Sequence, residues 1–428
     1  MQQLHHLQLH LFAPNPKFPA KNYFHCMKPL SVFFLLLLFV NTYAQEYNPV
    51  ANSNAIITIG KARFTVLTDG LIRMEYSADS VFCNQASLTF VNRNLPVPKF
   101  QVKHENGKLI ISTLLLTLSY TENSGAFTAK NLNIDYKDSN RSFSWKPGTK
   151  DKQNLKGTTR TLDGVLGKFS FNGMKKLKLE DGIISRSGWA LIDDSEKPLF
   201  DNSEWPWVEA RKTAEQDFYF FGYGSNYKKA LFDFTQVAGK ISLPPKYAFG
   251  VWYSRYWNYT EQEMKDIVKG YDDNNIPLDV LVVDMDWHQT EKSNPELFKN
   301  ANPKLNGWTG FTWEKKYFPD YKEFLQWTNE KNLQTCLNLH PAAGVQWHED
   351  AYPDFAKAMN FDTSKHAAIP FDITNKNFAK NYFDVLLHPY EKAGVDFWWL
   401  DWQQWGSTNI KGVNPTFYLN YVHYSDMQ

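Results

Sequence analysis

The pair Pro244-Pro245 separates two hydrophobic patterns that belong to different kinds of sheet. Upstream, from about Glu46 to about Lys240, short apolar and polar alternations of period two are broken by turn residues, as in strands with one buried face. Ala55–Ile59, Ala62–Leu67, Ile72–Tyr76 and Leu109–Ser119 read as strands, and Asp69-Gly70 and Asn106-Gly107 as hairpin turns. No helical stripe of useful length precedes about Asn226. Many short strands at close spacing predict a β-sandwich over residues 45–240.

Downstream, over residues 246–428, strand and helix patterns alternate. Tyr247–Tyr253 is a strand candidate. Thr260 and Glu263 then form a capping box, each side chain satisfying a backbone N–H that the helix leaves open. Met264, Ile267, Val268 and Tyr271 follow at helical spacing, and Asn274-Asn275-Ile276-Pro277 ends that helix. Leu278–Asp286 is a near-continuous apolar run, as expected of a strand buried on both faces of a parallel sheet. The unit repeats. Tyr321, Phe324, Leu325 and Thr328 share a helix face before a strand at Leu333–His340. Phe378, Tyr382, Val385 and Leu386 share another, in a helix from about Asn375 that ends with Lys392 and a Gly394 cap, before a strand at Val395–Asp401.

This βα rhythm fits a doubly wound sheet or a (β/α)8 barrel. A doubly wound nucleotide site needs a glycine-rich turn after its first strand. Ser254-Arg255-Tyr256-Trp257 has no glycine, which favours the barrel. Four strands fit between about residues 247 and 401. A whole barrel has eight and runs to about 250 residues. The expected fold class is therefore multidomain, a β-sandwich followed by the first half of a (β/α)8 barrel truncated after about strand four.

Polar residues fall at the carboxyl ends of these strands, where α/β active sites lie. Asp284 and Asp286 end the second strand, His340 the third and Asp401 the fourth. Alternation puts Trp399 and Asp401 on one face and Trp398 and Leu400 on the other, so Trp399 and Asp401 look into the barrel mouth. A carboxylate beside tryptophan suits a glycosidase nucleophile; the plainer role is capping the next helix. By the same period Asp286 shares a face with Asp284. The two carboxylates either hold sugar hydroxyls or are buried in an ion pair with Arg255. Arg255 is also the expected cation that keeps Asp401 ionised beside Asp286. Trp287–Phe318 and Pro341–Thr374 each exceed 30 residues, against about 2–6 for ordinary βα loops. Loops of that length shape substrate sites.

Composition narrows the classes further. Lys and Arg number 46 against 45 Asp and Glu, which lacks the basic excess of a nucleic-acid binder. Aromatic residues are abundant, with 15 Trp, 22 Tyr and 32 Phe, and 11 of the Trp lie at or beyond Trp252. They imply a large aromatic core or a site for a flat ligand such as a sugar. Cys26, Cys83 and Cys336 make neither a zinc spacing nor a disulfide framework. His340, His348, His366 and His388 lack HxH or HExxH spacing, and no phosphate or dinucleotide motif appears. No metal and no cofactor is expected. Ser31–Val40 is an apolar run of ten, preceded by Lys28 and followed by Thr42-Tyr43-Ala44. A membrane span needs about 20 residues, so this reads as a secretory signal cleaved after Ala44, with Met27 the natural start. An uncleaved signal anchor is the alternative. Residues 1–44 are then an upstream extension plus signal peptide, and the product is secreted or periplasmic, with no membrane contact after cleavage.

From about residue 50 onward the chain resembles glycoside hydrolase family 31, the α-glucosidases and α-xylosidases. Gly157-Thr-Thr-Arg-Thr-Leu-Asp163 resembles the family's GGTxRTLD stretch. Asp181 to Trp189 with Asp193-Asp194 resembles its loop ending in Gly-Trp and an Asp pair, and Phe221-Gly222-Tyr223-Gly224 with Tyr227 and Pro244-Pro245 its domain junction. Ser254-Arg255-Tyr256, Asp284-Met285-Asp286 and Trp399-Leu400-Asp401 match its first, second and fourth strand ends. The resemblance implies a retaining α-glycosidase acting on an oligosaccharide or α-glycoside. It makes Asp401 the nucleophile, Asp286 the sugar-binding carboxylate, and Tyr256 and Trp399 the aromatic wall. Family α-glucosidases read Asp-Met-Asn-Glu where this chain reads Asp401-Trp402-Gln403-Gln404, which points to another hexose or a substituted one. The family's acid/base residue, from a later strand, is missing. The chain is accordingly expected to be the N-terminal portion of such a protein, inactive by itself; a noncatalytic carbohydrate-binding relative is the alternative.

Overall fold

A computed structural model of the chain describes residues 48–157, 179–201, 203, 207–211, 215–298, 307–401 and 408–427. The signal segment, most of the stretch from Gly157 to Asp163, and Trp402-Gln403-Gln404 lie outside the described residues.

The first region is antiparallel. Its strands are β1 (Ile56–Ile59), β2 (Ala62–Thr68), β3 (Leu71–Tyr76), β4 (Gln101–Glu105), β5 (Lys108–Ser112), β6 (Leu116–Thr121), β7 (Leu132–Lys137), β8 (Ser142–Trp145), β9 (Trp189–Asp193), a short β10 (Leu199–Phe200) paired with β11 (Val208–Glu209), and β12 (Gln216–Gly222). One sheet runs β1-β2-β3-β12-β9 and the other β4 to β8 in order. The two pack through a shared core in which Phe64, Val66, Ile72 and Phe220 of the first meet Leu109, Leu118, Ile134 and Trp145 of the second. Alternation along β5, β6 and β7 leaves the polar residues of those strands outside.

Both hairpin dipeptides turn the chain where the sequence reading puts them, but for different reasons, and one strand reading fails. Asn106-Gly107 is a two-residue hairpin with both φ angles positive, at 52° and 70°, the geometry that favours this dipeptide. Asp69-Gly70 has no positive φ; Gly70 is needed because a Cβ there would stand 2.7 Å from the Tyr223 ring. Leu109–Ser119, read as one strand, is two. Thr113 turns the chain by accepting a hydrogen bond on Oγ1 from the Leu116 N–H at 2.9 Å, while Leu114 is 78% exposed. An apolar turn hides the break, because the capping is done by one threonine hydroxyl.

Helix α1 (Tyr227–Ala238), capped by Asn226, leads to the second region. There β13 (Trp252–Tyr253), β14 (Val280–Val283), β15 (Gln334–Leu339) and β16 (Phe397–Leu400) form a parallel sheet in chain order. The first strand is shorter than expected, since Lys246–Phe249 forms a 3₁₀ turn. Helix α2 (Glu261–Asp273) carries the Thr260/Glu263 capping box, and α3 (Tyr321–Glu330) is capped by Asp320. The long loop after β15 holds α4 (Tyr352–Met359). The helix predicted from Asn375 runs as α5 (Lys376–Asn381), a π-helical turn (Tyr382–Leu387) and α6 (His388–Ala393). Pro389 lacks the N–H that an α-helix would use there, and the wider turn directly precedes it. Helix α7 spans Pro415–Asp426.

Period two sorts the parallel strands cleanly. Leu281, Val283, Leu337, Leu339, Trp398 and Leu400 face the helices, while Val280, Val282, Cys336 and Phe397 pack together on the other face. The β10–β11 hairpin ties the two regions together, with Trp207 against Tyr418 and Phe200 against Tyr421, each pair of rings 5.5 Å apart. Residues 47–428 form one compact unit. Among the described residues no helix is long and apolar enough to cross a membrane.

Candidate active site

The face opposite the helices ends in polar residues. Continuing β14, β15 and β16 by two residues each leads from Val282 to Asp284, from Asn338 to His340, and from Trp399 to Asp401. The Asp401 amide donates to the Leu339 carbonyl at 3.1 Å, extending the β15–β16 pairing to the carboxylate's own residue. Asn338 Nδ2 donates to Asp401 Oδ2 at 3.2 Å, and His340 Nε2 stands 3.3 Å from the same oxygen. Both partners are fully buried, whereas the Asp401 side chain is part-exposed. Asn338 Oδ1 and the His340 ring nitrogens are buried without a well-aligned hydrogen bond among the described residues. Such atoms each cost about 1–3 kcal/mol, so polar binding capacity is concentrated beside Asp401. Trp398 points the other way, donating its Nε1–H to Glu391 at 2.8 Å, while Trp399 remains 37% exposed.

Asp284 and Asp286 are both buried, but period two does not relate them. Asp284 ends the extended segment and caps a 3₁₀ turn (Met285–Trp287), accepting from the Met285 N–H at 2.7 Å. Asp286 lies inside that turn. Burial raises the Asp284 pKa, and the charges of Asp401 and Asp286 add to the rise; the Met285 N–H and His340 oppose it. Three carboxylates therefore share one neighbourhood. Asp286 accepts from the Thr290 hydroxyl at 2.8 Å and from Lys292 Nζ at 3.2 Å. The cation expected there was Arg255. Instead Arg255 points outward, donating to the Tyr259 hydroxyl at 3.4 Å with its guanidinium 4.9 Å from the Trp257 ring. The 3₁₀ turn folds the chain back so that residues four and six positions on reach Asp286, and the local cation takes the place of the distant one. Tyr256 is 52% exposed, and the Lys292 ammonium lies 4.0 Å from its ring centroid. Burial works against the Lys292 charge, but the Tyr256 hydroxyl and Asp286 outweigh it and raise its pKa.

The two long loops are laced together beneath this site. The Thr309 hydroxyl donates to the His340 carbonyl and accepts from the Ala343 N–H at 3.1 Å. Buried Glu349 accepts on one oxygen from the Phe311 N–H at 3.1 Å and the Thr312 hydroxyl at 2.6 Å. Burial pushes its pKa up to about 7 and pushes that of His288 down to about 4. Asn338, Lys292 and Glu349 were not singled out as site residues by sequence. Asn338 had a readable signal, an amide two residues before a strand-end histidine inside an apolar run. Among the described residues, His388, Glu391 and Asp426 place ligand atoms within 4.8 Å of one another, on α6 and α7 rather than at the strand ends.

Comparison with known proteins relates the second region of the chain to a family domain. Residues 241–425 match the TIM-barrel domain of glycosyl hydrolases family 31. An alpha-xylosidase of Lactiplantibacillus pentosus is 26% identical over 163 residues, 37% of this chain and 19% of that protein. An alpha-xylosidase of Saccharolobus solfataricus is 23% identical over 223 residues, 51% of this chain and 27% of that protein. A Flavobacterium johnsoniae GH31 dextranase, solved with isomaltotriose, superposes with a TM-score of 0.54 at 16% identity, covering 81% of this chain and 45% of its own. That likeness is one of fold, and it reaches well beyond the matched barrel region. The matches take in less than half the length of these relatives. One expectation is overturned: the chain, with its resemblance read from about residue 50 onward, was taken as the N-terminal portion of a family protein, whereas the matched domain is confined to residues 241–425, the C-terminal half of the chain. Residues 241–425 are thus homologous to the TIM-barrel domain of glycosyl hydrolases family 31, and Asp284, Asp286 and Asp401 all lie inside that homologous stretch.

Proposed function

We propose that the strand-end cluster is the nucleophile side of a retaining α-glycosidase site, with Asp401 attacking the anomeric carbon to form a glycosyl-enzyme. The observation that carries this reading is the convergence of Asn338 and His340 on one Asp401 oxygen, beside an exposed Trp399. Two neighbours fix the carboxylate, its part-exposed side faces the opening, and a flat ring stands ready for the apolar face of a sugar. Asp284 and Asp286 would accept hydrogen bonds from sugar hydroxyls, bonds that strengthen when the acceptor is charged. In the same reading the four parallel strands are one half of a (β/α)8 barrel, with the site at its carboxyl end. The substrate is an α-glycoside, and Trp402-Gln403-Gln404 points to a hexose other than glucose or a substituted one.

The test is covalent labelling. Cleaving an unactivated glycoside needs a general acid, which none of the residues assigned here supplies; a fluoride leaving group removes that need. A fluorinated α-glycosyl fluoride should label the peptide containing Asp401. An adduct on Asp286, or none with any of a panel of sugars, would refute the assignment. We also propose export through the Ser31–Val40 segment. Amino-terminal sequencing of the mature protein should start at Gln45, and a product retaining Ser31–Val40 would reject it.

A further inference from the structure

We propose that Lys292 determines sugar specificity by reading, together with Asp286, two adjacent hydroxyls of a neutral pyranose; this rests on the glycosidase reading above. Asp286 Oδ1 is occupied by the Thr290 hydroxyl, and Oδ2 faces Lys292 Nζ at 3.2 Å. A carboxylate only accepts hydrogen bonds and an ammonium only donates them. Held this close, the two present an acceptor and a donor side by side. Neighbouring ring hydroxyls are spaced to meet such a pair, one donating to Asp286 and the next accepting from Lys292. The Lys292 side chain is 45% exposed, so the ammonium can face a ligand while keeping its contact with Asp286.

Two further observations bound the ligand. The ammonium covers the Tyr256 ring at 4.0 Å, which takes that face away from a sugar and leaves Trp399 as the stacking surface. Asp284 and Asp401 stand close to Asp286, so an acidic sugar would meet further carboxylates there. A neutral polyol is the ligand class that uses both partners.

The experiment is a protein–ligand double-mutant cycle on the whole chain. Methyl α-glucopyranoside, methyl α-galactopyranoside and methyl α-xylopyranoside, each with its monodeoxy congeners, are titrated against wild type, Lys292→Met and Lys292→Gln by calorimetry. For the best-bound glycoside, removing either of two adjacent hydroxyls should weaken binding roughly 10- to 100-fold, the range for hydrogen bonds to charged groups. Lys292→Met should erase the penalty at one of those positions and keep it at the other, with Lys292→Gln intermediate. If both variants weaken every congener by the same factor, or leave every penalty unchanged, Lys292 is merely structural and the proposal fails while the glycosidase reading stands. Labelling of Asp401 without measurable binding of any glycoside also overturns the proposal alone. Absence of both binding and labelling sinks the glycosidase reading itself.

Discussion

Buried charge is handled in opposite ways by the two regions of this molecule. On the outer face of the β1-β2-β3-β12-β9 sheet, three guanidinium groups meet three carboxylates. Arg63 grips Glu75 with two hydrogen bonds of 2.7 and 2.8 Å, and Arg73 grips Asp217 with 2.8 and 2.7 Å. Arg211 reaches Asp217 at 2.9 Å and Asp194 at 3.0 Å. Spare donors of Arg63 and Arg73 go to the Cys83 carbonyl. At the carboxyl ends of the parallel strands, Asp284, Asp286 and Asp401 gather with the Lys292 ammonium on Asp286, the His340 imidazole beside Asp401, and an Asn338 amide whose oxygen has no hydrogen-bond partner among the described residues. The first arrangement sets each carboxylate against a guanidinium and locks strand to strand, leaving only Asp194 Oδ1 and Arg211 Nη1 of this cluster without a hydrogen-bond partner among the described residues. The second keeps capacity for a ligand, at a cost to stability that only a bound polar group would offset.

That contrast can be broken at either end. The largest effect is expected at Asp401. Asp401→Asn keeps the shape and removes the attacking charge, so turnover of an α-glycosyl fluoride should fall roughly 10³-fold or more. The melting temperature should stay level or rise, because one of three crowded carboxylates is gone. Near-normal turnover would move the nucleophile elsewhere. Arg73→Met should do the reverse, lowering unfolding free energy by about 3–5 kcal/mol, because buried Asp217 would lose both Arg73 hydrogen bonds and keep only the Arg211 contact at 2.9 Å. Urea titration measures this, and a loss below about 1 kcal/mol would erase the distinction between the regions.

Asp286→Asn sits between these cases. It should cost about 2–4 kcal/mol of transition-state binding, read from kcat/KM, with little change in stability. A variant that instead unfolds would mark the Asp286–Thr290–Lys292 cluster as structural.

The smallest effect concerns Glu349, the buried acid that joins the two long loops. Its pKa is raised by burial to about 7, so the folded state holds the proton more tightly than the unfolded chain does. Stability from this group is present below the ordinary carboxyl range and is lost as pH rises from there to about 7. The loss should be on the order of 1–3 kcal/mol. Asp194, also raised to about 7 by burial and by Asp217, contributes in the same direction. His288, depressed to about 4 by burial, has the opposite sign, losing stability as pH falls below its ordinary value. Comparing Glu349→Gln with wild type across pH 4.5–8 isolates the glutamate; parallel stability curves would show that its burial does not couple to protonation.

Much of the local structure was legible. The Thr260/Glu263 box and the Asn226 and Asn375 side chains each close a helix end through partners within three residues, so short-range spacing suffices to find them. The split at Thr113 was missed because Leu114 and Leu115 continue the apolar pattern through a turn. The placement of Asp286 by strand period failed because a strand's period ends where a 3₁₀ turn begins.

What the sequence by itself determined is which side of each strand a residue takes. Alternation alone separates Trp399 and Asp401 from Trp398 and Leu400, since neighbouring side chains on a strand must point to opposite faces. What only the tertiary structure decided is who meets whom. Asn338 and His340 reach Asp401 because β15 and β16 pair in one particular register, and Lys292 rather than Arg255 reaches Asp286 because the loop folds back. Glu349 lies 37 residues from the threonine hydroxyl that holds it. Contacts of this range depend on the path of the whole loop, which no local pattern of apolar and polar residues encodes.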